Sequence, residues 1–257
     1  KSLDVVQTAT GENWMIYTVP EAKAMLWNHL APATYVALLH GAVPPLDDST
    51  MYDLEPRDDF VLPEFQRFWR FLGQLAPQHL WSLEERPGWL RLTPDTATLS
   101  VTDSPLMIAR KQEHARCTVA TMLDFSPQQG QEEAGLTVYV DANHHYEIAV
   151  TRLSDEEQRS IIVRRRIGTL AAVVAFEIIP FEGLVTLYVE ARPEKYTFAF
   201  QVVKHPRVML AEGETRYLSR EVTGGDSGVN FGLYATANGR DGVTPAFFDW
   251  FDYVVPE

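Results

Sequence analysis

The chain has 257 residues, 46% of them hydrophobic and 11% aromatic, and carries a formal net charge of −13. That length suits one large domain, or one domain with an arm, and supplies a sizeable core. The acidic balance argues against a nucleic-acid partner, which needs a basic face, and against an anionic membrane surface.

The single cysteine, Cys117, rules out an intramolecular disulfide. A core of this size needs no covalent staple, so secreted and cytoplasmic settings both stay open. No stretch reaches the ~18 apolar residues of a transmembrane helix. The chain begins Lys1-Ser2-Leu3-Asp4 without an initiator methionine, and is read as a processed or truncated form.

In chain order, residues 1–54 are expected to form an arm. Its strand-like run is Trp14-Met15-Ile16-Tyr17-Thr18-Val19, after the turn signal Thr10-Gly11-Glu12-Asn13. Pro20 followed by the good helix formers Glu21 to Leu30 predicts a helix start. Pro44-Pro45-Leu46-Asp47-Asp48-Ser49 has the composition of a linker. With too few residues for its own core, this arm is expected to pack on the remainder through Trp14, Ile16 and Trp27.

Residues 55–257 are β in texture throughout. Strands are predicted over residues 89–92, 117–125, 135–140, 146–151, 161–167, 184–190, 196–203, 231–236 and 247–254. Turn residues such as Ser126-Pro127, Asp141-Ala142-Asn143, Arg192-Pro193-Glu194 and Asn238-Gly239 separate most of them. Many short strands at this spacing predict an all-β antiparallel sandwich or jelly roll.

Alternation sorts the faces. Tyr146, Ile148 and Val150 are assigned to the core, which leaves His145, Glu147 and Thr151 on an opposite, wetter face. In the preceding strand Leu136, Val138 and Val140 point inward, and Thr137 and Tyr139 outward. The run Arg164-Arg165-Arg166 is read as a solvated face paired with surrounding acids. Trp69, Trp81, Trp89 and Trp250 are read as core before sugar platforms.

Several separated motifs resemble one family. They are Asp58-Asp59-Phe60, Trp81-Ser82-Leu83, Glu85 to Leu92, Ile108-Ala109-Arg110-Lys111-Gln112, Glu133 to Tyr139, and Phe231-Gly232-Leu233-Tyr234-Ala235-Thr236. In this order they are similar to the C-terminal sandwich module of family 43 glycoside hydrolases, of the fungal β-xylosidase and α-arabinofuranosidase type. The resemblance implies a concanavalin-A-like fold and packing against a five-bladed catalytic propeller. Leu3 to Thr8, with Gly11 to Met15, is similar to a late propeller strand. The propeller's catalytic carboxylates have no counterpart here. The family's aromatic-bearing loop is replaced by Gly225-Asp226-Ser227-Gly228, which puts Asp226 where an aromatic is usual.

No nucleotide loop, zinc-ligand spacing or nucleophile elbow is present in the sequence. A ligand is expected in a concave-sheet groove lined by Arg110, Gln112, Tyr139, Glu147 and Tyr234, with Asp226 at its rim. No cofactor is expected beyond a possible structural calcium held by Asp59 and Asp252, near Asp58 and Asp249 on the first and last strands. Two functional classes follow. One is a carbohydrate-associated module that binds glycans, or another small molecule, or serves as the accessory half of a xylosidase or arabinofuranosidase, with a propeller domain or a second copy as partner. The other is a stand-alone fungal cyclase or isomerase that uses the groove as its active site.

Overall fold

A computed structural model describes residues 2–7, 13–18, 57–72, 76–100, 105–153, 158–225 and 228–256. The chain divides into two units, Lys1–Asp53 and Leu54–Glu257. In the first, β1 (Ser2–Gln7) and β2 (Asn13–Thr18) pair antiparallel, with Val5 opposite Met15. The strand expected at Trp14 to Val19 is observed over Asn13–Thr18, paired with the segment likened to a propeller strand. The expected helix, the linker and the packing of Trp14, Ile16 and Trp27 lie outside the described residues.

Among its described residues the second unit is all-β apart from short helical turns. Its strands are β3 (Arg57–Asp58), β4 (Arg70–Phe71), β5 (Trp81–Ser82), β6 (Leu90–Leu92), β7 (Met107–Lys111), β8 (Cys117–Asp124), β9 (Glu133–Asp141) and β10 (His144–Leu153). They continue with β11 (Gln158–Ile167), β12 (Leu170–Ile178), β13 (Val185–Ala191), β14 (Lys195–Val202), β15 (Val208–Glu214), β16 (Asn230–Thr236) and β17 (Ala246–Val254). One sheet runs β12-β11-β10-β9-β16-β7-β4 and the other β15-β14-β13-β8-β17-β6-β5, with β3 beside β17. This is the expected antiparallel sandwich of concanavalin-A-like type.

The two sheets enclose one continuous core. Leu136, Val138, Tyr146, Ile148, Leu233 and Phe231 from the first meet Val119, Leu123, Val189, Phe198, Phe248 and Phe251 from the second. Strict alternation in β9, β10 and β16 puts these residues on one face, so burying them sets the register of each strand. The β12 and β15 strands escape the sequence reading because Leu170 to Ile178 and Val208 to Glu214 show no clean alternation. Pairing with β11 and β14 supplies their order instead.

Candidate functional site

The outer face of the seven-stranded sheet is where a groove was expected. Alternation places His145, Glu147, Ala149 and Thr151 there from β10, and Glu133, Thr137 and Tyr139 from β9. Tyr234 joins them from β16. The face is not wet. Tyr139 is 6% exposed, Glu147 3%, His145 1% and Tyr234 fully buried. A second apolar cluster of Leu99, Met107, Tyr139, Ala149, Ile162 and Tyr234 fills it. Gly232 allows this closeness: a Cβ there would stand 2.4 Å from Met107 Sδ and 3.0 Å from Thr137 Cγ2.

A buried charged network runs through this layer. Arg164 stands opposite Glu147 in the β10–β11 register. Its Nη1 donates to Glu147 Oε2 at 2.9 Å and to Glu133 Oε2 at 2.8 Å, and its Nη2 donates to Glu133 Oε1 at 2.6 Å. The Tyr234 hydroxyl donates to Glu147 Oε2 at 2.7 Å. His145 Nε2 lies 3.3 Å from Glu147 Oε1, and its Nδ1 lies 3.0 Å from the Asp141 carbonyl. The Tyr139 ring stacks on that imidazole at 5.4 Å.

These contacts set the proton affinities. Burial works against ionising Glu147, but the Arg164 charge, with hydrogen bonds from His145 and Tyr234, outweighs it and holds the carboxyl down at about 2. Burial, then the Glu147 charge, pushes the Tyr234 phenol well above its ordinary value. Burial, reinforced by Asp141, takes Tyr139 up to about 12. A general acid needs a carboxyl raised toward neutrality, so Glu147 is shifted in the wrong direction for that work. The network locks β9, β10, β11 and β16 together.

Two of the expected groove residues sit elsewhere. Arg110 lies on the inward face of β7, with its guanidinium 4.2 Å from the Phe68 ring centroid and 4.4 Å from that of Tyr253. Gln112 accepts from the Tyr196 hydroxyl at 2.9 Å and donates to the His114 carbonyl at 2.9 Å. The structure thus brings Tyr139, Glu147 and Tyr234 together but separates Arg110 and Gln112 from them. The physical reason is strand alternation: Ala109, not Arg110, shares the outer face of β7 with Met107. Asp226 lies outside the described residues.

Asp59 and Asp252, the expected calcium ligands, both meet the Arg57 guanidinium, at 2.8 and 3.8 Å. A protein cation already lies between them. Among the described residues no three His, Cys, Asp or Glu side chains converge as a metal site would need. Buried Asp58 accepts from the Phe60 amide at 2.9 Å and from Trp69 Nε1 at 2.7 Å.

Sequence reading missed Glu133 and Arg164 as Glu147's neighbours. The β10–β11 pairing register was the only signal available for Arg164. It also missed Glu132, whose fully buried carboxylate accepts hydrogen bonds from two separate loops.

The domain family described as "Beta xylosidase C-terminal Concanavalin A-like domain" matches residues 57–254. The "Non-reducing end alpha-L-arabinofuranosidase BoGH43B" of Bacteroides ovatus is 34% identical over 211 residues, which is 82% of this chain and 39% of that protein. The solved structure "Bacteroides ovatus Xyloglucan PUL GH43B" superimposes with a TM-score of 0.76 at 32% identity, covering 83% of this chain and 42% of that one. The GH43 BlXynB protein of Bacillus licheniformis gives 0.72 at 26% identity, over 80% of this chain and 40% of that one. The chain spans about two fifths of the length of these relatives.

Proposed function

Since the chain belongs to the family of β-xylosidase C-terminal concanavalin A-like domains, we propose that it acts as the accessory sandwich of an arabinofuranosidase- or xylosidase-type glycoside hydrolase. In this reading it supports a catalytic propeller domain and does not cleave the glycosidic bond itself. The observation that carries it is the match of nearly the whole second unit to the C-terminal domain of enzymes more than twice its length. The closed outer face agrees with it. Glu147 and Glu133 are bound to Arg164 and are not arranged as an acid and base flanking a free cleft, as glycoside hydrolysis requires.

The test is turnover of aryl α-L-arabinofuranosides and aryl β-xylosides by the purified chain. No hydrolysis above buffer is expected. Turnover that persists through repurification and is lost on replacing a carboxylate of this chain would overturn the proposal. Binding of neutral arabinoxylan oligosaccharides, abolished by Tyr139→Ala at unchanged stability, would instead make the outer face a glycan site. The comparisons lend nothing to a stand-alone cyclase or isomerase, since the relatives named above are an arabinofuranosidase and GH43 proteins.

A further inference from the structure

Strand β12 forms one edge of the seven-stranded sheet, and among the described residues its only sheet neighbour is β11. Its sequence, Leu170-Ala171-Ala172-Val173-Val174-Ala175-Phe176-Glu177-Ile178, holds a single charge, no lysine and no proline. Leu170 is 76% exposed, Phe176 56%, Val173 and Ile178 48% each, and Val174 43%. Sheet edges are usually blunted by lysine, proline or several charges, which stop a further strand from adding. This edge instead presents a contiguous apolar surface of the kind that marks an interaction site. We propose that β12 is a self-association surface, on which a second copy of this chain adds its own β12 antiparallel across a two-fold axis.

The strand's own pattern names the occupant. Arg164 lies opposite Val173 and Val163 opposite Ala175, which leaves Val174 as an extra residue in a bulge. A bulge bends and twists its strand, so the continuous frame open to another strand runs from Val174 to Ile178. Within it Phe176, opposite Ile162, and Ile178, opposite Ser160, share the outer face with Val174. Ala175 and Glu177 point to the other face. A two-fold centred on Phe176 sets Val174 of each copy against Ile178 of the other, and Phe176 against its own counterpart. Apolar cross-strand pairs of this kind stabilise a sheet. The same register sets Glu177 against the second copy's Ala175, which is small and brings no like charge. A centre on Glu177 would oppose two carboxylates, and one on Ala175 would run the pairing into the bulge. The strand thus has one favourable way to meet itself, and such an isologous contact closes at two copies.

The apolar surface extends beyond one strand. β15, the edge of the eight-stranded sheet, packs beside β12. Its Val208 and Met209 are 40% and 63% exposed. The two edges make one flank of the sandwich, which the same two-fold repeats. A five-residue pairing supported by this flank is modest beside the ~800 Å² per partner of a standard interface. The expected affinity is therefore micromolar. Each copy carries a net charge of −13, so long-range repulsion opposes association and salt that screens it favours the dimer. Self-association through β12 does not rest on the accessory-module reading.

The experiment is sedimentation velocity of the full chain over about 1–200 µM, a range that brackets a micromolar dissociation constant. The sedimenting mass should rise from 29.1 kDa toward twice that value, and more readily as salt increases. Phe176→Lys changes an exposed side chain, so its thermal melt should match the parent while association weakens at least about tenfold. Val61→Lys, at a 73% exposed position outside this flank, should leave association unchanged. Oxidative crosslinking reads the register. A chain carrying both Val174→Cys and Ile178→Cys should form a disulfide-linked dimer. Neither substitution alone should, because the two identical positions then lie about 13 Å apart along the paired strands. A chain that stays monomeric at the highest concentration would overturn the proposal and leave the flank to a different protein. A dimer untouched by Phe176→Lys, or one that the double cysteine variant fails to crosslink, would overturn the pairing through β12. None of these results bears on the accessory-module reading, which stands or falls on the aryl glycoside assay.

Discussion

Replacing Glu132 by glutamine is the sharpest test of how the sandwich is closed at one end. The Glu132 carboxylate is fully buried. Its Oε2 accepts from the Gln128 amide at 3.0 Å, the Gln129 amide at 3.0 Å and the Thr244 hydroxyl at 2.7 Å. Its Oε1 accepts from the Val243 amide at 2.7 Å and the Thr244 amide at 2.9 Å. One ionised side chain thereby ties the loop before β9 to the loop before β17. A glutamine keeps one acceptor oxygen and turns an NH₂ group toward the other set. With the NH₂ toward β17 the Val243 and Thr244 amides lose their acceptor; in the other orientation the Gln129 amide loses its own and the Gln128 amide keeps only the Thr244 hydroxyl at 3.1 Å.

An unsatisfied buried donor costs about 1–3 kcal/mol. Gln128, Gln129 and Val243 are exposed residues whose amides can recruit water, so the low end applies to each. The expected loss is about 2–3 kcal/mol, which lowers Tm by about 5–10 °C in a unit of this size. The pH dependence has a definite sign. Burial opposes ionisation of Glu132, but the hydrogen bonds from Val243, Thr244 and Gln129 outweigh it and hold the carboxyl below its usual value. Its contribution is therefore complete above the unfolded pKa of about 4.3 and is lost as pH falls through the lower folded value. Melts of parent and variant should be furthest apart near pH 7 and converge below about pH 4. Equal Tm values at pH 7, or a gap that widens on acidification, would refute the clamp.

Arg164→Met should cost about 3–5 kcal/mol in urea unfolding, because it strands two buried carboxylates; a loss under about 1 kcal/mol would show that Glu133 and Glu147 find other partners. Tyr234→Phe deletes only one hydrogen bond to Glu147 and should cost about 1–3 kcal/mol. For Gly232→Ala, overpacking against Met107 and Thr137 should cost about 1–3 kcal/mol. Pairing it with Met107→Ala tests the cause: a double variant whose costs simply add would mean that the Met107 contact is not responsible. Asp58→Ala leaves the buried Trp69 indole N–H and the Phe60 amide without their acceptor, and should lower stability by about 1–3 kcal/mol, read from the shift in denaturation midpoint.

Much of this protein was legible before any coordinates. The β-sandwich architecture followed from short alternating runs and turn residues, because burying one face of a strand imposes a two-residue period that composition cannot hide. The inward assignments of Tyr146, Ile148, Val150, Leu136 and Val138 rest on the same physics, and each lies in the central core. Motif order was enough to indicate the family, since those residues occupy the strands that build the fold.

What alternation could not decide is what lies over the second face. A residue opposite the core is solvated only if nothing covers it, and that depends on contacts between segments distant in the chain. Leu99 and Met107 pack over Tyr139 and Tyr234, so a face read as a wet groove became a second core. The partners of Glu147 were hidden for the same reason: Arg164 and Tyr234 lie 17 and 87 residues away. Arg110 shows the converse. Its motif suggested a groove, but the position of β7 in the sheet points its side chain inward, between Phe68 and Tyr253. Periodicity within a strand belongs to the sequence; what covers each face, and which charges meet there, is settled only when the sheets assemble.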